Sequence, residues 1–436
     1  MKRGKKNDGI LCTARFYTYP VDVVRRSIQL VTHALTSLRG ATKCLDIFSD
    51  VFPNSVPSHT AIQNWILQYG LSQLKRPIPR RKDWIYILDH TIEFGHQKCL
   101  VILGTTLEQL RKTNGSITHE QLRALTIDIS QKSNSQRVTD TLNTLIHKTG
   151  IPAQIVSDSG SDLKKAVENI CDRYPRIRFT YDITHKCALL LKHALQRDIL
   201  WRRFQEHYSY TKRRCVHSRF AFLSPMKLQD KSRWMNLNTC VDWARKITAF
   251  RENMPHNIQA LHLEKKRFAA SFREVFGWVE GFAEPLHRWS SMLQVISIAR
   301  DEVKSKGLEA DTVKRFRDRV GTLRDRAGTT AAADEIVNQL IDFLTEETLT
   351  ITAGQKYLGT SDAIESVFAR YKNFSARTPM KGVGKTVLTI PAFLSDITPQ
   401  RVHEALKSCP QKKTARWLNR NVGRSLFAQR AKAFAN

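Results

Sequence analysis

Acidic residues are scarce in this 436-residue chain. It carries 40 Asp and Glu against 70 Lys and Arg, a formal net charge of +30. Such a field argues against an ordinary near-neutral enzyme and for a polyanionic partner, nucleic acid before an anionic membrane. Long apolar runs are also missing. No stretch of about 18 uncharged apolar residues is available to cross a bilayer, and the basic opening MKRGKKNDGI lacks the apolar segment of a secretory signal. The eight cysteines never form a C-x-x-C pair. That excludes a zinc ribbon or disulfide framework and favours a reducing, cytoplasmic compartment. Internal repeats and low-complexity tracts are absent. What remains is a foldable composition, 41% hydrophobic, in a chain long enough for two to four domains.

The first 75 residues read as helical. Val21, Val24, Ile28, Val31 and Leu35 recur at helical spacing, and a second short helix fits Ala41–Phe48. Ser58 is a good N-cap for a third helix whose buried face is Ile62, Trp65 and Ile66. His59, Thr60, Gln63 and Asn64 lie near its start on the other side, where a recognition helix presents short polar groups to base edges. A helix-turn-helix is therefore expected. The run Lys75-Arg76-Pro77-Ile78-Pro79-Arg80-Arg81-Lys82 follows. Its prolines stop the helix, and its five cations suit a phosphate backbone.

The middle alternates strands and helices. Ile85–Leu88 is a short strand ending in Asp89. Cys99–Leu103 and Leu125–Ile129 are two more, joined without a long helix, so an antiparallel meander is expected. A helix with Val138, Leu142, Leu145 and Ile146 on one face leads to a fourth strand, Ala153–Ser157, again ending in an aspartate, Asp158. An amphipathic helix (Leu163, Ala166, Val167, Ile170) precedes a fifth strand through Ile177, Phe179 and Tyr181, which runs into Asp182-Ile183-Thr184-His185. Strand-end aspartates are usually caps or turn residues. Two on neighbouring strands would repel unless a hard divalent cation lay between them. A third carboxylate is then expected, and Glu365 on a late helix supplies it, with Lys372 seven residues on along the same side.

Two late stretches complete the reading. Gly382-Val383-Gly384-Lys385-Thr386 resembles the end of a phosphate-binding loop, but the position that needs glycine is Pro379 and a charged helix, not a buried strand, precedes it. ATP binding is rejected, and a basic, flexible loop near DNA is expected instead. Residues 397–436 hold nine Lys or Arg against Glu404 alone, with two short helices suggested by Val402, Leu406 and Cys409 and by Trp417 and Leu418.

In this order the motifs resemble a DDE transposase of the retroviral-integrase superfamily, bacterial insertion-sequence type with hAT-like features. The resemblance covers roughly residues 83–200 and 355–376. It implies an α/β RNase H-like catalytic core, a mixed five-stranded sheet interrupted by a large all-α insertion, behind an N-terminal all-α helix-turn-helix domain. The implied layout is 1–75 helix-turn-helix, 76–83 linker, 84–190 first part of the core, 191–355 helical insertion, 356–378 last core helix and 379–436 basic C-terminal region. Asp182-x-x-His185 is similar to the C/D-x-x-H motif of hAT-type enzymes. Glu365 and Lys372 match half of an insertion-sequence signature, whose Arg is replaced here by Ser361 and whose Tyr falls out of register at Tyr357.

What the resemblance implies for chemistry is specific. Asp89, Asp158 and Glu365 would be the catalytic and metal-binding set for Mg²⁺ or Mn²⁺, two ions, with no ATP. Asp182, His185, Lys372 and Trp289 would be accessory, Trp289 as one candidate for stacking on a flipped base among the insertion's tryptophans. Double-stranded DNA at transposon ends and target would be bound by His59, Thr60, Gln63, Asn64, Lys75, Arg76, Arg80, Arg81 and Lys82. A homodimer or higher oligomer on DNA, in a bacterial nucleoid-associated setting without a membrane, is expected. The alternative is a non-catalytic DNA-binding regulator or domesticated transposase. The charge makes a testable prediction: DNA affinity should fall steeply with salt, log K losing roughly 0.9 per phosphate neutralised for each tenfold rise in salt. A flat salt titration would count against this layout.

Overall fold

The computed structural model describes residues 19–49, 56–92, 97–158, 160–226, 237–260, 265–375 and 382–435. Cys12, the basic N-terminal run, His96, Trp234 and Pro379 lie outside them. The chain forms two compact units, residues 1–181 with 360–436, and residues 182–359.

The first unit begins with α1 (Val21–Thr32), α2 (Leu38–Ile47) and α3 (His59–Lys75). Ser58 caps α3 as expected, its hydroxyl accepting from the Ala61 amide at 3.2 Å. Ser37 caps α2 through the Gly40 amide at 2.8 Å, so this helix starts three residues before the hydrophobic pattern suggested. Residues 48–58 separate α2 from α3, which is longer than the turn of a tight helix-turn-helix pair, about 3–4 residues.

The sheet follows: β1 (Trp84–Ile92), β2 (Lys98–Thr106), α4 (Leu107–Lys112), β3 (Arg123–Ser130), α5 (Ser135–Thr149), β4 (Gln154–Ser157), α6 (Ser161–Arg173) and β5 (Arg178–Tyr181). Its order is β3-β2-β1-β4-β5. β1, β2 and β3 form the antiparallel meander, and β1–β4 and β4–β5 pair in parallel. Side chains alternate between faces along a strand. Trp84, Tyr86 and Leu88 of β1 join Ile155 of β4 and the apolar faces of α5 and α6 in one core.

The described residues of the second unit are mainly helical: α7 (Ile183–Leu195), α8 (Ile199–Cys215), α9 (Leu237–Glu252), α10 (Met254–Ala260), α11 (Lys265–Phe276), α12 (Ala283–Lys306), α13 (Thr312–Ala327) and α14 (Ala331–Thr348). Asp301–Thr345 belongs to three helices, α12, α13 and α14, packed on one another. An aromatic cluster centred on Phe204 holds this unit together. Trp201, Trp278, Phe282 and Trp289 surround it at ring separations of 5.3–5.6 Å. Glu302 of α12 is almost fully buried and pairs with Arg315, Lys306 and Arg319. Burial pushes its carboxyl up, but these cations outweigh burial and hold it below the usual range.

The chain then returns to the first unit as α15 (Asp362–Ser375), α16 (Thr389–Phe393), α17 (Pro399–Ser408), α18 (Gln411–Asn421) and α19 (Leu426–Ala433). Three C-terminal helices thus stand after residue 397, where two were expected. α17 and α18 pack on the N-terminal helices. Val24, Ile28, Trp65 and Tyr69 share a core with Ile397, Val402 and Leu406. The Gly382–Thr386 run leads into a buried 3-10 turn, Lys385–Leu388, lodged against α3, a packed element and not the loop expected at this position.

That packing makes Gly70 irreplaceable. A Cβ there would lie 1.8 Å from the Leu388 carbonyl oxygen. Gly70→Ala should destabilise the first unit by about 1–3 kcal/mol or more, read as a lowered denaturation midpoint. Gly321, inside α13, has nothing within 4 Å of its would-be Cβ, so Gly321→Ala should instead stabilise the second unit by about 0.5–1 kcal/mol.

Candidate catalytic edge of the sheet

The parallel pairing of β1 with β4 ends at Leu88↔Ser157. Asp89 is the next residue of β1, and Asp158 is the first residue past the end of β4. Asp89 does not end its own strand, as the sequence suggested. β1 continues to Ile92 because β2 accompanies it as far as Ile92↔Lys98. Asp89 ends the parallel pairing instead. Neighbouring strands lie about 4.8 Å apart, and in-register residues point to one face. Asp89 shares its face with Ile85 and Ile87, opposite the face that packs on α5 and α6, and Asp158 follows directly on the Ser157 that closes the parallel pairing.

Local backbone contacts hold both carboxylates. Asp89 Oδ1 accepts from the His90 amide at 2.6 Å, and Asp158 Oδ1 accepts from the Gly160 amide at 3.2 Å. A Cβ on Gly160 would stand 3.2 Å from that same Asp158 oxygen, so the glycine leaves room for the turn. Helix α15, bearing Glu365, packs on β1 without joining the core of the opposite face. It therefore covers the Ile85–Ile87–Asp89 face. Glu365 is half-buried near its first turn, and Lys372 is exposed, 6.0 Å from the Phe368 ring centre. Among the described residues no three His, Cys, Asp or Glu side chains are gathered closely enough to hold a metal ion. The fold pairs Asp89 with Asp158 and brings Glu365's helix alongside.

Residues that the sequence did not single out brace this edge. Asp162, in the first turn of α6, takes a 3.1 Å bond from Lys98 of β2 and lies 4.0 Å from His90 Nδ1. His90 Nε2 is 3.1 Å from the Ser133 hydroxyl. The only sequence signal was proximity: His90 follows Asp89, and Asp162 closes Asp158-Ser159-Gly160-Ser161-Asp162.

Several candidate residues are occupied otherwise. Trp289 is fully buried, and its indole N–H points to Asp198 at 3.3 Å. It has no face to offer a base, since the aromatic cluster consumes it. Asp182, also fully buried, caps α7 through the Thr184 and His185 amides, with His185 Nδ1 3.8 Å from its other oxygen. This is a helix-start role. Arg81 is committed to Asp83 and Glu108, which push its guanidinium pKa up, and Arg80 donates to the His147 carbonyl at 2.7 Å. The 75–82 run is no loose linker. Arg123 holds the Arg76 and Pro77 carbonyls, and the Trp84 indole holds that of Pro79. Lys75, Arg76 and Lys82 stay exposed, as do His59 and Thr60, while Gln63 and Asn64 are half-buried.

No family model and no curated protein matches the chain. Among solved structures, the Drosophila P element transposase strand transfer complex is similar at 12% identity and a TM-score of 0.40, over 89% of this chain and 93% of that one. A likeness so distant assigns no family.

His90 generates a pH prediction. Burial lowers its pKa below the usual 6.5, outweighing the attraction of Asp162. The folded state therefore resists a proton that the unfolded chain accepts. His90's contribution to stability is complete above roughly pH 6.5 and declines as pH falls from there toward its folded value. Denaturation midpoints between pH 7.5 and 5 should fall less for His90→Gln than for the unaltered protein. An unchanged slope would show that His90 titrates normally.

Proposed function

We propose that the chain is a DNA transposase of DDE type with an RNase H-like core, cleaving transposon-end DNA and joining its 3′-OH to target DNA. The observation that carries this reading is the adjacency of Asp89 and Asp158 at the end of the parallel β1–β4 pairing, beside a helix bearing a third carboxylate. Two like charges at strand spacing, in a chain of net charge +30, favour a cation between them and a polyanion around them. The donor set is all oxygen, which suits Mg²⁺ or Mn²⁺. Asp89 and Asp158 would form the permanent part of the site. Glu365, carried on the helix that already packs on β1, would complete it.

Bound divalent ions would supply charge neutralisation at the scissile phosphate and a lowered pKa for the attacking water or 3′-OH. The chain's own residues do the positioning. Asp89 and Asp158, each restrained by a backbone amide, would hold the cations that set where the phosphate lies against the sheet edge. Lys372, exposed on α15, reaches toward the phosphates that flank it. ATP is not needed, because one phosphodiester is exchanged for another. His59, Thr60, Gln63 and Asn64 at the start of α3 would read the transposon end, and two or more copies would pair the ends.

The test uses purified full-length protein, Mg²⁺ and duplex DNA carrying the element's end. The unaltered protein should nick it. Asp158→Ala should reduce nicking by at least 10³-fold, roughly 4 kcal/mol of transition-state stabilisation, with DNA affinity preserved. Equal nicking by the variant would overturn the catalytic assignment. Binding without nicking by the unaltered protein would favour the second reading, a non-catalytic DNA-binding regulator.

A further inference from the structure

The C-terminal region contains a surface that the catalytic reading leaves unused. From residue 405 to the end the chain has no Asp or Glu. Within it, α18 is clamped at both ends to other parts of the first unit. At its start, the Gln68 amide of α3 donates to the Cys409 carbonyl at 3.1 Å. Just past its end, the Gln97 side chain, immediately before β2, donates to the Val422 carbonyl at 3.4 Å. Eleven residues at 1.5 Å each make a rod of roughly 16 Å. It runs from the recognition-type helix α3 to the hairpin end of β1 and β2, the end at which Asp89 lies.

The two faces of this rod differ. Thr414 is buried, and Trp417, Leu418 and Asn421 are partly buried toward the body. Lys412, Arg416 and Arg420 are all exposed and follow each other at i, i+4 and i+8, one above the next about 6 Å apart. None of the three has a carboxylate partner among the described residues. In this they differ from Arg81, Arg137 and Arg315, which are engaged with acids. Ala415 and Asn419 complete the outward face, so it lacks the apolar stripe an interfacial membrane helix needs.

The geometry points to α18 as a phosphate-backbone rail for duplex DNA, with Lys412, Arg416 and Arg420 carrying a strand from the N-terminal helices toward the Asp89–Asp158 edge. The assignment rests on the reading of the chain as a DNA-acting protein and adds a surface to it. Backbone contacts of this kind fix position and add affinity without reading sequence.

The test is the full-length triple variant Lys412→Ala/Arg416→Ala/Arg420→Ala, measured by fluorescence anisotropy on a random-sequence duplex across a salt series. The matched control, Lys314→Ala/Arg317→Ala/Arg326→Ala, removes three exposed cations of α13. The rail variant should bind about 10–100-fold more weakly at 100 mM salt, and its salt slope should shrink by about 2–3. Its melting temperature should stay unchanged, because the three side chains only face solvent, and the control should lose much less. An equal loss in both variants would overturn the proposal, because any surface cation would then serve. So would an unchanged affinity in the rail variant, which leaves the DNA-acting reading intact. Unaltered protein that binds no duplex at all would overturn both. Loss of binding to phosphatidylserine vesicles with duplex binding intact would assign the face to a membrane and sink the rail.

Discussion

The parallel register between β1 and β4 is the constraint on which the rest of this structure depends. Leu88 opposite Ser157 is a pairing of two residues that do no chemistry. It decides that the next residue on each chain segment is an aspartate, Asp89 and Asp158, where the parallel pairing ends. A register slip of one residue would send Asp89 to the face packed on α5 and α6, an apolar interior where an ionised carboxylate is costly. Burial specifies the register here, and the register assembles the carboxylate pair.

The other contacts around the edge serve that arrangement. β2 pairs with β1 beyond the point where β4 stops, so the segment carrying Asp89 is supported by β2 on one side. Lys98 extends the support by reaching from β2 to Asp162, which ties the first turn of α6 to the meander. The turn carrying Asp158 is thereby braced from below and threaded through Gly160, where a side chain would crowd the carboxylate. Such a site is built on strands and a helix terminus, more rigid supports than a loop.

What could be read from the sequence was whatever depends on local periodicity. The five strands were visible as short apolar runs, and Ser58 as a cap, because a strand or cap is specified by its own residues and their immediate neighbours. The fate of Trp289 was not visible. An aromatic in a basic helix has the same local pattern whether it stacks on a ligand or on Phe204, and only the folded unit decides. The 75–82 run is mostly exposed, as its prolines and cations announce, but Arg123, Trp84 and Thr149, which hold its backbone, come from elsewhere in the chain and were not visible. The union of α3 with the C-terminal helices is the extreme case. Gln68 and Cys409 are 341 residues apart, and no periodicity reports a partner at that distance.

Net charge proves a blunter guide than its size implies. Many cations are consumed within the fold. Arg137 grips Asp128, Arg81 spans Asp83 and Glu108, and Arg315 neutralises Glu302 beside further acids. Each such pair lowers the number of charges able to meet a polyanion, and a phosphate must outcompete a preformed carboxylate bond to recruit them. The working field therefore comes from cations without internal partners, and its shape follows from where acids are missing. The acid-free final stretch is fastened to the body at Gln68 and Gln97, two uncharged side chains that bind backbone carbonyls. Anchoring through amides leaves Lys412, Arg416 and Arg420 on α18's outer face without an internal carboxylate partner. An ion-paired anchor would have held the helix equally well and spent part of that charge.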